Sequence, residues 1–272
     1  MLLIVGFGLL IGLALGLTGG GGSIFAVPLL IYGLGVEPLS AITLSLATVS
    51  VVALFGAADA IHRGVVELRV GTIFAVGGVV TAPLGVRLAG GFSDTTILYS
   101  FSVLMVIVAL VMWRNARKNP EIASVVRADY ESSEVDGGPV CRLSSDQRVT
   151  LSAPCSVVLV VVGAVTGVLA GFFGVGGGFI IVPALTLVTQ LNIHRAVATS
   201  LYVIALVGAS GFGSALLAGR ELPGQLMLLF TFGGLIGLWL GRKSAGRIAG
   251  PRLQQFFALM MIMVVAFIWA AE

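Results

Sequence analysis

Apolar residues fall in ten runs, at positions 2–17, 24–35, 38–61, 70–89, 95–113, 155–173, 179–191, 196–218, 225–241 and 254–270. Crossing a hydrocarbon core of about 30 Å takes roughly 20 helical residues, so the runs at 38–61, 70–89 and 95–113 each predict a membrane span. The run at 24–35 is too short to cross unaided, since at 1.5 Å per residue it reaches only about 18 Å. One long polar stretch of mixed charge, 114–153, interrupts the pattern. It reads as a linker with room for a short surface helix. The chain thus divides into a first membrane unit (1–113), a polar linker (114–154) and a second membrane unit (155–272).

The two membrane units repeat each other. At an offset of 155, Gly8, Gly12, Gly16, Gly19, Gly21 and Gly22 align with Gly163, Gly167, Gly171, Gly174, Gly176 and Gly177. Val27-Pro28 aligns with Val182-Pro183, Ser45-Leu46 with Ser200-Leu201, and Gly64 with Gly219. After one residue of drift, Gly77, Gly78, Gly85 and Trp113 align with Gly233, Gly234, Gly241 and Trp269.

Composition says what solvent these runs face. The chain is 58% hydrophobic and 10% charged, with a mean hydropathy of +1.11. Soluble domains carry closer to a quarter charged residues, so the solvent here is lipid. The net charge of +3 does not point to nucleic acid, because no basic patch is interleaved with aromatics. The two cysteines, Cys141 and Cys155, lack metal-ligand spacing and read as incidental thiols. The N-terminal run has no preceding Lys or Arg and no small-x-small cleavage site, so residues 1–17 are expected to belong to the mature fold.

Charge then bears on topology. If the Gly-split pair 2–17 and 24–35 is a hairpin, whether re-entrant or made of two short spans, each half has an odd number of passes and the halves are inverted. Thirteen of the fifteen Lys and Arg residues then share the side of the central loop, and only Arg87 and Arg220 lie opposite. If the pair is one broken span, the division is 9 to 6. The positive-inside rule selects the hairpin, with a cytoplasmic central loop and extracytoplasmic termini. The expected fold is therefore an all-α polytopic membrane protein of two inverted-topology repeats. Each repeat is a Gly-broken helical hairpin plus three transmembrane helices.

A helix that stops inside a membrane leaves N–H and C=O groups that lipid cannot satisfy, so the break must be buried in protein or line a wet cavity. Paired breaks in inverted repeats point to the central site of a transporter. Half-helices starting near Ser23 and Gly178 would turn free N–H groups and positive dipole ends toward a ligand, which favours an anion. The substrate-lining candidates are Gly19, Gly20, Gly21, Gly22, Ser23, Gly174, Gly176, Gly177 and Gly178. By contrast, the Gly-xxx-Gly ridges at 8–16, 163–171 and 233–241 read as packing surfaces.

A Gly-rich break followed by a hydrophobic Val-Pro segment, occurring twice in a chain of this size, resembles the TauE/SafE sulfite exporter family of bacterial membrane proteins. The resemblance covers both apolar halves but not residues 114–154. It implies export or uptake of small sulfur-containing anions, such as sulfite, sulfoacetate and other organosulfonates, across the bacterial inner membrane, with ion coupling.

Polar groups inside the apolar runs are functional candidates. Ser45 and Ser200 align across the repeat, and their hydroxyls suit a sulfonate oxygen. Thr43, Thr48, Ser50, Thr199, Tyr202, Ser210 and Ser214 lie in the same two runs. Asp59, one turn from His62 and four residues from Arg63, offers a proton-relay pair; an interfacial ion cluster is the competing reading. His194 and Arg195 mark the same border in the second half. Protons are the candidate coupling ion, and no cofactor or metal is expected. Two histidines without an HExxH or GxSxG context argue against an enzyme. A channel for a small inorganic anion and a non-transporting assembly subunit are the other classes that fit.

Overall fold

A backbone surrounded by lipid must satisfy its own hydrogen bonds, and this chain does so almost wholly with helices. The computed structural model describes residues 1–118, 142–143, 149–150, 153–189, 191, 193–220, 223–248 and 251–271. The first half contains α1 (Leu2–Thr18), α2 (Gly21–Gly33), α3 (Pro38–His62), α4 (Leu68–Ala89) and α5 (Asp94–Lys118). The second contains α6 (Ala153–Phe173), α7 (Gly178–Thr189), α8 (Ile193–Leu217), α9 (Gly224–Ile248) and α10 (Pro251–Ala271). Six of these helices are long and apolar enough to cross a membrane. Their outward residues, among them Leu54, Val80, Leu228 and Trp239, are exposed, as a lipid-facing surface requires. The molecule is a polytopic membrane protein.

The polar segment differs in extent from the sequence reading. Helix α5 runs past Trp113 to Lys118, and α6 begins at Ala153. Arg142–Leu143 and Val149–Thr150 pair as a minimal antiparallel ribbon. The surface helix expected in this segment would fall on residues outside those described. Cys155 is buried and disulfide-bonded, which corrects its reading as an incidental thiol, because a bonded sulfur has no thiol chemistry. Cys141 lies outside the described residues.

Local chemistry sets the helix ends. Pro38 opens α3 at the first turn, where its missing N–H would have had no partner anyway. Helix α1 ends at Gly19, whose left-handed conformation (φ 71°) returns its N–H to the Leu15 carbonyl at 2.8 Å. Gly174 ends α6 in the same way, with φ 71° and a 2.9 Å bond to the Ala170 carbonyl. The next segments differ between the halves. Residues 178–189 form a regular helix, whereas Gly21–Phe25 is a 3₁₀ turn and Leu29–Gly33, just after Pro28, a π turn.

Glycine decides which helices touch. A Cβ on Gly8 or Gly12 would collide with the carbonyls of Phe230 or Gly234, and one on Gly16 would lie 2.7 Å from the Leu238 carbonyl. Gly233, Gly237 and Gly241 reciprocate against the α1 backbone at Val5, Leu9 and Leu13. The other half repeats this arrangement. Gly163, Gly167 and Gly171 abut Phe74, Gly78 and Ala82 of α4. Small residues let two backbones approach and gain the van der Waals contact that drives association in lipid. Each half therefore packs its first helix on the fourth helix of the other half.

These contacts also fix chain direction. Gly8 lies beside Phe230 and Gly16 beside Leu238, so α1 and α9 are parallel. Thr48 bonds Thr231, and Asp59 pairs with Arg242, so α3 runs the same way as α9. Gly77 lies beside Val160 and Gly85 beside Val168, so α4 and α6 are parallel. The central helices α3 and α8 are antiparallel, with Ser50 against Gly208 and Gly56 against Leu201. Helix α2 turns back along α1, placing Gly22 against Ala14 and Gly33 against Phe7.

Candidate functional site

The two glycine-rich breaks meet in the interior. Gly20 packs on Gly178 so closely that a Cβ on either would come within 2.6–2.9 Å of the other's backbone. Gly176 rests between Val49 of α3 and Ile204 of α8, near the midpoints of those helices. Gly19, Gly20, Gly22, Ser23 and Gly174 to Gly178 are buried, and Gly21 is half-buried.

A reciprocal pair of hydrogen bonds holds the breaks. The Ser45 hydroxyl donates to the Gly174 carbonyl at 2.5 Å, and the Ser200 hydroxyl donates between two carbonyls, that of Gly19 at 2.6 Å and that of Val197 in its own helix at 2.7 Å. Each bond to a glycine runs from a central helix of one half to the first glycine of the other half's break. Both serines are fully buried. The sequence reading had these hydroxyls as donors to a substrate oxygen. Here each proton is committed to backbone carbonyls. Ser23 is turned inward as well, donating to the Gly20 carbonyl at 2.7 Å.

The donors left over are backbone amides. Those of Gly20, Gly21, Gly176 and Gly177 find no backbone acceptor among the described residues. Unpaired N–H groups inside protein cost about 1–3 kcal/mol each, so a partner there is worth having. Gly22 packs on Ala14 and Gly177 on Ala170, so both seat the break against its own preceding helix.

Charged groups gather at the mouths of the breaks. Arg220 reaches from the turn after α8 to Thr43 Oγ1 at 3.2 Å and to the Val86 carbonyl at 3.0 Å. Thr43 follows Ile42, the residue that abuts Gly174. No carboxylate among the described residues pairs with Arg220, and burial lowers its pKa from the usual arginine value. A half-buried cation without a counter-ion favours an anion nearby. The sequence reading counted Arg220 only as a topology charge. The available signal was the repeat itself, since the matching position after Gly64 is Val65.

At the opposite mouth the charges are paired. Glu67 bonds Arg195, and the Glu67 amide donates to Thr199 Oγ1 at 3.0 Å. Asp59 lies between Arg63, at 3.0 Å, and Arg242. Arg242 connects this cluster to the first break, because its backbone abuts Gly16, one turn before Gly19. His62 is exposed at the end of α3, and no hydrogen bond to Asp59 is found for it among the described residues. Thr48 bonds Thr231 across helices at 3.1 Å, while Ser50 donates within α3. Ser210 bonds the Val79 carbonyl at 2.7 Å, and Tyr202 approaches Thr72 at 3.4 Å.

The family model of the sulfite exporter TauE/SafE matches residues 4–268, spanning both breaks and both sets of helices. The chain belongs to the TauE/SafE family. Two relatives match over nearly their whole length. A probable membrane transporter protein of Xylella fastidiosa, strain Temecula1, is 33% identical over 280 residues, covering 100% of this chain and 97% of the relative. The probable membrane transporter protein YunE of Bacillus subtilis is 27% identical over 273 residues, covering 98% and 94%. No solved structure matches the chain. Membrane transport is the activity to which this TauE/SafE membership and these relatives point, rather than catalysis.

Proposed function

We propose that the protein is a secondary transporter that exports small sulfur-containing anions, such as sulfite or organosulfonates, by alternating access. The anion site is the meeting point of the two glycine breaks. The observation that carries this reading is the set of unaccepted amides at Gly20, Gly21, Gly176 and Gly177 beside the Gly20–Gly178 contact. Backbone N–H groups in a glycine-rich turn bind oxyanions without a fixed charge, so they release the anion as readily as they take it. Arg220 supplies attraction at one mouth.

The closed contact between Gly20 and Gly178 favours alternating access over an open pore. The relation between halves is read as inverted. Counterpart helices α1 and α6 run in opposite directions, as do α3 and α8. The thirteen-to-two division of cations supports a cytoplasmic central loop in a bacterial inner membrane. Export of a monovalent anion is aided by a negative-inside potential, at about 2.3 kcal/mol per charge per 100 mV. Protons, relayed at Asp59 and His62, are the proposed coupling ion where steeper gradients are needed.

Proteoliposome flux tests the cargo. Sulfite, sulfoacetate and taurine-like sulfonates should saturate and compete with one another, and chloride should compete weakly. Gly21→Leu should abolish flux without unfolding the protein, since the atoms nearest a Cβ there belong to the flexible Thr18 side chain, at 3.2 Å or more. Normal flux through a stable Gly21→Leu protein would reduce the break to packing.

A further inference from the structure

On the lipid-facing side of the α3–α9 pair lies a groove of about 660 Å³ lined by Phe55, Asp59, Arg63, Trp239, Arg242 and Lys243. Three cations face one carboxylate, and Asp59 is already shared between two of them. The net positive charge has no counter-ion among the described residues. Phe55 and Trp239 form the outer wall and are 58% and 64% exposed. The Lys243 ammonium stands 5.4 Å from the centre of the Trp239 ring, at the boundary between apolar wall and charged floor.

The internal repeat supplies a control. Phe55, Asp59 and Arg63 correspond to Ser210, Ser214 and Ala218, while Trp239, Arg242 and Lys243 correspond to Pro83, Val86 and Arg87. The equivalent helix pair, α4 with α8, therefore packs with one cation, no carboxylate and no aromatic at these positions. The fold does not require the cluster. It is an addition at one membrane border only.

We propose that this groove binds the phosphodiester headgroup of an anionic membrane lipid, with an acyl chain lying along Phe55 and Trp239. Oxygen atoms of a phosphodiester can take donors from Arg63, Arg242 and Lys243 together, and the aromatic wall suits a chain rather than water. A free anion would gain the same charge contacts but would leave that wall unused. The proposal does not rest on the cargo or on the amides of the glycine breaks, although Asp59 and Arg242 belong to the cluster beside the first break.

The test uses the full chain, purified, stripped of lipid and offered phosphatidylglycerol or phosphatidylcholine, with retention read by native mass spectrometry. Wild type should retain phosphatidylglycerol selectively. Lys243→Gln should weaken retention about fivefold, and Arg63→Gln with Lys243→Gln about thirtyfold, taking roughly fivefold for each cation near an anionic surface. Arg63 and Lys243 are exposed, and Asp59 keeps Arg242 in both variants. The comparison protein carries Arg69→Gln and Arg114→Gln, exposed cations at the same end of the bundle. Equal retention of the two lipids by wild type would overturn the proposal. So would an equal loss in the Arg69/Arg114 variant, which would assign the attraction to the basic border at large. Displacement of lipid by millimolar inorganic phosphate would reassign the groove to a free anion.

Discussion

Replacing Ser200 with alanine removes one proton donor and leaves the Gly19 carbonyl with no other donor among the described residues. Ser200 is fully buried, so the loss is the cost of an unmade hydrogen bond, about 1–3 kcal/mol, rather than its smaller net value in water. Ser45→Ala does the same to the Gly174 carbonyl, and its loss should be at least as large, because the Ser200 proton is shared with the Val197 carbonyl of its own helix. Ser50→Ala is the comparison. Its hydroxyl donates to the Leu46 and Ala47 carbonyls of its own helix, as a local bond to a ladder that persists without it, so the change should be within about 0.5 kcal/mol. Thermal unfolding in detergent reads stability, and proteoliposome flux reads KM and Vmax. The expected result is a lower midpoint for Ser45→Ala and Ser200→Ala, a near wild-type midpoint for Ser50→Ala, and a fall in Vmax exceeding any change in KM. Unchanged midpoints with a raised KM would refute the argument and return both hydroxyls to the substrate.

Gly12→Ala should sharply lower the yield of monodisperse protein, because the added carbon collides with the Gly234 carbonyl, while Gly6→Ala, which meets nothing within 4 Å, should express normally; size-exclusion profiles distinguish them. Arg220→Gln should raise KM several-fold for a monovalent anion and leave a neutral Thr43 contact in place, so an unchanged KM would remove Arg220 from the anion path. Asp59→Asn is expected to abolish the response of flux to a pH gradient, and a folded variant with the wild-type response would end the relay and leave Asp59 as the partner of two arginines. Orientation can be read at Cys155, because the cytosol reduces disulfides. Cys155 is buried, so the readout is cells quenched in acid and alkylated after denaturation: a cytoplasmic central loop should yield Cys155 as a thiol, and recovery of the disulfide seen here would turn the fold over.

Much of this protein is legible along the chain because the relevant physics is local. A run of apolar residues long enough for the bilayer becomes a helix wherever it sits, and consecutive glycines such as Gly19–Gly22 end one whatever their neighbours. The repeat of Gly8, Gly12 and Gly16 at 163, 167 and 171 marks two equivalent units before any contact is known. Partners are another matter. Ser45 and Ser200 carried the right symmetry, yet the glycine carbonyls they bind lie 129 and 181 positions away, and no periodicity names them. The closure of Gly20 on Gly178, the reach of Arg220 to Thr43 and the sharing of Asp59 with Arg242 likewise exist only once α3, α8 and α9 are packed together. A side chain's type says what it can donate or accept. Which group lies within 3 Å of it is decided by the packing of segments remote in sequence, and that packing belongs to the tertiary structure alone.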